Sequence, residues 1–97
     1  MDEDLLEFEW DPEKALRNKS KHRVSFREAA MVFKDTFAIT YNDDAHSNLE
    51  QRFVTMGTSD LGRVLVVCHT LAGDNIRLIS ARKATPHERK IYEKENQ

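Results

Sequence analysis

Only one cysteine, three glycines and two prolines occur among the 97 residues of this chain. With Cys68 as the sole thiol, no intrachain disulfide can form, which points to a reducing compartment. Cys68 lies in the apolar run Val64–Cys68 and reads as a small core residue. No apolar run approaches the roughly 20 residues of a membrane-spanning helix. The acidic N-terminus has neither the basic start nor the apolar middle of a secretory signal, so a cytoplasmic location and no membrane partner are expected. The scattered glycines make neither a Walker loop nor a dinucleotide fingerprint. His22, His46, His69 and His87 do not fall at zinc-site spacing, and no metal or cofactor is expected. No nucleophile elbow surrounds Ser59 or Ser80. Cys68 and His69 are adjacent on a predicted strand, so they point to opposite faces and cannot pair as thiolate and imidazole.

What is present is enough for one domain over residues 1–97. An apolar share of 39% excludes a disordered chain. The net charge of −2 conceals a sharp local pattern. Residues 1–13 carry seven acids and no base, and residues 14–27 carry six bases and no acid. The basic segment permits a nucleic-acid contact, and equally suits a solvated helix face.

Leu5–Trp10 alternates apolar and acidic residues, the pattern of a half-buried strand. Asp11-Pro12 reads as an N-cap with proline at the first helical position, opening a short basic helix to about Lys21. Ser25 and Glu28 form a capping-box pattern for a second helix bearing Phe26, Ala29, Ala30 and Phe33, with Val24 placed to staple onto Ala29. Strands are predicted over 37–41, 51–56, 63–71 and 76–82, with a polar loop at 42–48 and a hairpin turn at 72–75. Thr85-Pro86-His87-Glu88 opens a closing helix to about Glu95. The order β-α-α-β-β-β-β-α predicts an α+β fold, a small antiparallel sheet of four to five strands with helices on one face. Turns this short exclude the crossovers of a doubly wound sheet.

The remaining chemistry is a set of strand arginines, Arg52, Arg63, Arg77 and Arg82. Such residues are common on solvent faces, but grouped guanidinium ions also bind phosphate bidentately at any working pH. Around a phosphodiester they would stabilise charge developing in the transition state without a divalent ion. His69 is a candidate proton carrier whose facing depends on strand register. A two-residue turn places it and Arg63 with Ser80 and Arg82. A three-residue turn sets it against Arg77. Lys19, Lys21 and His22 at the helix junction are candidate RNA-backbone contacts, and His22 is equally suited to cap the first helix.

The run Phe8-Glu9-Trp10-Asp11-Pro12-x-Lys14-Ala15, with Asn18, Lys21-His22-x-Val24-Ser25-Phe26-x-Glu28-Ala29 and Asp35, resembles the opening of BrnT toxins. Arg52, Gly57, Gly62-Arg63, Ile76-Arg77-x-Ile79-Ser80-Ala81-Arg82 and Ala84-Thr85-x-x-Glu88-Arg89-x-x-Tyr92-Glu93 resemble its later signature. The similarity spans residues 7–93. One departure is Arg23, where the family commonly has glycine. If that position is left-handed, arginine is less comfortable there.

The resemblance implies a RelE-like fold, RNA cleavage and growth arrest. It implies neutralisation by a BrnA-type antitoxin and autorepression of the operon, with operator DNA contacted only through the antitoxin. Joined to the residues above, it suggests attack by the RNA 2′-hydroxyl on the adjacent phosphate. Arg63, Arg77 and Arg82 would stabilise charge, Arg52, Lys19, Lys21 and His22 would hold RNA, and His69, His22 or a nearby lysine would carry the proton. The alternative is a non-catalytic module that only docks an antitoxin.

Overall fold

The computed structural model describes residues 7–46 and 50–96. Its elements are β1 (Phe8–Glu9), α1 (Pro12–His22), α2 (Phe26–Met31), β2 (Ile39–Asn42), β3 (Arg52–Thr58), β4 (Val64–Ala72), β5 (Asn75–Lys83) and α3 (Pro86–Glu95), with 3-10 turns at Val32–Lys34 and Asp44–His46. This is the expected element order. Leu5 and Leu6 of the predicted first strand lie outside the described residues.

The strands align as β1-β5-β4-β3-β2. β2 to β5 form an antiparallel meander, whereas β1 lies parallel to β5, with Phe8 opposite Ile76. The sheet is therefore mixed, not antiparallel throughout. Hairpins force antiparallel neighbours, but β1 and β5 are separated by most of the chain and no tight turn constrains them.

Helices cover both faces, not one as expected. Val24, Phe26, Ala29, Ala30 and Val32 pack on Leu65, Val67, Ile76, Leu78 and Ala81. On the other face, Tyr92 of α3 and Ala84 pack on Met56 and Val66. The cause is legible in β4: Leu65 and Val67 point one way, Val64 and Val66 the other, and a strand apolar on both sides needs cover on both. Asp35 ties the two layers together, accepting from Thr58 N at 2.8 Å, Phe37 N at 2.9 Å and the Tyr92 hydroxyl. Burial alone would raise its pKa, but those donors outweigh it and hold the carboxyl below its ordinary value. Gly57 is required where β3 crosses the 3-10 turn at residues 32–34, since a Cβ there would meet Val32 Cγ1 at 2.9 Å.

The helix starts follow their caps. Asp11 Oδ1 accepts from Glu13 N at 2.8 Å, and Ser25 Oγ from Glu28 N at 3.0 Å. Thr85 and Glu88 form the full reciprocal box. Ser25 and Glu28 form only half of one, because the Glu28 carboxylate turns inward to Ser59 and Arg63. Asn18, on the inner side of α1, is buried and satisfies the strand edge of β5 where β1 has ended. Its amide donates to Ala81 O at 2.8 Å and Val24 O at 3.0 Å, and its carbonyl accepts from Ala81 N at 3.0 Å.

α1 stops at Arg23, which has φ 61°. A left-handed L-residue costs about 1–2 kcal/mol, a cost glycine does not bear. Arg23→Gly is therefore expected to raise unfolding stability by about 1 kcal/mol in urea titrations. The Arg63 contact would survive it, because it goes to the Arg23 carbonyl at 3.1 Å.

Candidate active site

The β4–β5 hairpin decides which arginines share a face. Its turn has two residues, Gly73 and Asp74, with Ala72 opposite Asn75 and His69 opposite Leu78. The next pair is Cys68 with Ser80, so Ile79 is an extra residue, a β-bulge. Strand alternation would separate Arg77 from Arg82, which stand an odd number of positions apart. The bulge reverses the parity between them and brings both, with Ser80, to the face that carries α3. Arg52 joins them, because Arg52 and Arg77 flank Thr70 across the sheet.

Arg52 and Arg82 line a cleft of about 300 Å³ on that face, with Asp43, His46, Cys68 and Ser80. Ile79 and Ser80 also line a second depression of about 350 Å³, shared with Lys14, Arg17, Lys21 and His22 of α1. The two hollows meet at the bulge. A basic surface thus runs from β3 over β5 to the outer side of α1. Lys19 does not belong to it and lines a separate hollow with Leu16, Ser20 and Arg23.

Carboxylates already sit on these arginines. Arg82 Nη1 and Nη2 donate to Glu88 at 2.8 and 2.9 Å. Arg77 Nε donates to Glu9 at 3.2 Å, and Glu50 lies 3.9 Å from both Arg77 and Arg52. The Arg82 guanidinium holds Glu88 at a pKa of about 2. Arg77 and Asn75 together lower the pKa of Glu9, Asn75 being the larger cause. Pairs this exposed are weakly held, so an incoming phosphate can displace them.

Arg63 and His69 stand elsewhere. Arg63 Nε donates to Glu28 at 2.9 Å, its Nη2 bonds the same carboxylate, and Ser59 Oγ donates to Glu28 at 2.7 Å. This cluster belongs to the side of α2, away from the cleft. His69 faces the α1–α2 layer, packed edge-on to Phe33 at 4.9 Å and stacked on Phe53 at 5.8 Å. Its Nε2 meets Thr55 Oγ1 at 2.8 Å, and its buried Nδ1 has no hydrogen-bond partner among the described residues. Of the two turn lengths the sequence leaves open, the two-residue one is present, but the bulge moves Ser80 and Arg82 to the opposite face from His69.

Burial depresses the His69 pKa from 6.5 to about 4. Between those values the unfolded chain binds the proton and the folded chain does not, so stability falls as pH falls. The loss attributable to His69 is about 3 kcal/mol from pH 6.5 to pH 4. Urea unfolding across that window is expected to show it in the wild type, and His69→Gln is expected to flatten the curve.

Two cleft residues, Asp43 and His46, fall in the stretch read from sequence only as a polar loop. Their i, i+3 spacing in that loop was the signal available.

The class so defined is an α+β domain with helices on both sheet faces and an arginine-lined cleft on one of them. The profile described as "Ribonuclease toxin, BrnT, of type II toxin-antitoxin system" matches residues 10–88. The chain belongs to the BrnT family. The crystal structure of the Brucella abortus ribonuclease toxin BrnT has a similar fold, with a TM-score of 0.64 and 19% identity, covering 82% of this chain and 97% of that one. No curated protein matches the chain. Among the described residues, no helix is long and apolar enough to cross a membrane.

Proposed function

We propose that the chain is a cytoplasmic endoribonuclease toxin that cleaves RNA at the arginine-bearing face of its sheet, without a metal ion. The observation that carries this reading is the convergence of Arg52, Arg77 and Arg82 on one open face, two of them lining a single cleft. RNA would cross the bulge, its backbone held by Arg52 on one side and by Lys21 and His22 on the other. The 2′-hydroxyl attacks the neighbouring phosphate, and Arg77 and Arg82 stabilise the charge on its oxygens. Arg63 and His69 support this reaction through the fold, since neither side chain reaches the cleft. Family membership implies an antitoxin partner. The carboxylates of Glu50 and Glu88 on the arginines favour an acidic antitoxin segment that occupies the same face. We assign that role to a BrnA-type antitoxin, which would also carry the operator contact for autorepression.

The test is purified chain incubated with total RNA, naked and ribosome-bound, with and without EDTA. Cleavage that persists in EDTA supports the reading. Cleavage only without EDTA overturns its metal independence. Intact RNA under every condition overturns it in favour of a module that only docks an antitoxin.

A further inference from the structure

We infer that His46, positioned by Asp43, is the general base of the RNA cleavage reaction. This rests on the ribonuclease reading above and names a group the arginines cannot replace, because guanidinium does not accept a proton at working pH. His46 Nδ1 lies 3.1 and 3.0 Å from the two Asp43 carboxylate oxygens. The bond places the ring hydrogen on Nδ1 and leaves Nε2 as the acceptor. Asp43 is the sheltered partner, 19% exposed against 70% for the imidazole, so the carboxylate is fixed and the ring is open to a ligand. The turn is anchored at both ends of the dyad. Asp43 N donates to Arg52 O at 2.8 Å and His46 N to Asp43 O at 3.2 Å. The dyad is thereby locked to the first residue of β3, whose side chain lines the same cleft.

The other candidates are placed worse. His69 is buried on the opposite face, and His22 belongs to the α1 hollow. Burial raises the Cys68 thiol, which opposes thiolate formation. An imidazole beside phosphate-binding arginines, oriented by a carboxylate, is the arrangement general-base chemistry requires. Nε2 takes the 2′ proton as the bond from O2′ to phosphorus forms. The bond from phosphorus to O5′ breaks, and water supplies the proton for the departing oxygen. The imidazolium then returns its proton to solvent. The products are a 2′,3′-cyclic phosphate and a 5′-hydroxyl end. The charged and titratable groups that share the cleft with the ring are Asp43 in its own turn, Arg52 at the start of β3, Cys68 on β4 and Arg82 on β5.

The experiment measures kcat and KM on an RNA that the wild type cleaves, across pH, for His46→Ala, His46→Gln, Asp43→Asn and the exposed control His87→Ala. Both His46 variants are expected to lose at least about 10²-fold in kcat with KM little changed, and to lose the pH dependence that a general base confers on the rate. Asp43→Asn is expected to lose less in kcat and to alter the pH profile of the rate, a change a merely structural role would not cause. His87→Ala is expected to match the wild type. Wild-type kcat and pH profile in both His46 variants, or a change confined to KM, would overturn the dyad while leaving the ribonuclease reading intact. A wild type that cleaves neither naked nor ribosome-bound RNA overturns both.

Discussion

Arg63→Ala is expected to destabilise the fold by about 2–3 kcal/mol, below the range for a fully buried ion pair because Arg63 itself is partly exposed. Against a total of about 5–15 kcal/mol for a domain of this size, that leaves a marginal protein. The size of the effect follows from which partner is stranded. Arg63 is 31% exposed and Glu28 only 6%, so the substitution leaves the deeper charge with nothing but Ser59. Glu28→Ala is expected to cost less, because the freed Arg63 can turn to water. The pH dependence gives a second signature. Arg63 is the main cause that holds Glu28 below its ordinary value of 4.5, so the pair stabilises the fold above that pH and its contribution fades as pH falls. Without Arg63, burial dominates and raises Glu28. The deficit of the variant relative to wild type should therefore shrink below pH 4.5. The double variant Glu28→Met with Arg63→Met removes both charges and should recover most of the stability. Urea unfolding of the three variants checks this. If the double variant also cleaves RNA at the wild-type rate, the role of Arg63 is structural. If it is folded and inactive, Arg63 belongs to the reaction.

That distinction was not available from sequence, where Arg63, Arg77 and Arg82 look alike: each is an arginine on or beside an apolar strand. Element order, the helix caps and the place of the hairpin turn at 72–75, though not its length, were legible because each depends on local chemistry, a Ser, Thr or Asp before a helix or a Gly-Asp pair between strands. The bulge at Ile79 was not, because nothing in Leu78-Ile79-Ser80-Ala81 distinguishes an extra residue from a regular one. Yet that residue alone decides that Ser80 and Arg82 share a face with Arg77 and not with His69. The inward turn of Glu28 was hidden for a similar reason. Its spacing from Ser25 fits a capping box, and only tertiary contact with Ser59 and Arg63 diverts it. Much of the family signature proves to carry structure: Asn18 seals the edge of β5, Asp35 joins the layers, and Gly57 admits the 3-10 turn. The left-handed Arg23 is the one departure whose consequence could be read in advance.

Arg82→Ala should do the reverse of Arg63→Ala, leaving the fold and removing the activity. Its side chain is 42% exposed, and its bidentate partner Glu88 keeps a hydrogen bond from Thr85 N at 2.8 Å when the guanidinium is gone. The pair is close to the surface, so its loss is expected to cost no more than about 1 kcal/mol. In the cleft the same group is the one best placed to meet a phosphate, with two parallel donors in a fixed fork. Removing one such donor from a developing oxyanion costs about 10²–10³-fold in kcat. Arg82→Lys should recover part of this, because it restores the charge without the fork. A folded-state reporter is available in the same pair. Glu88 titrates at about 2 while Arg82 is present, and its pKa should rise towards 4.5 in the alanine variant, as followed by carboxyl NMR shifts. A variant that shows the raised Glu88 pKa, unfolds like wild type and no longer cleaves RNA places Arg82 in the reaction. One that shows the raised pKa and cleaves at the wild-type rate removes it, and the charge on the phosphate must then be met by Arg52 and Arg77 alone.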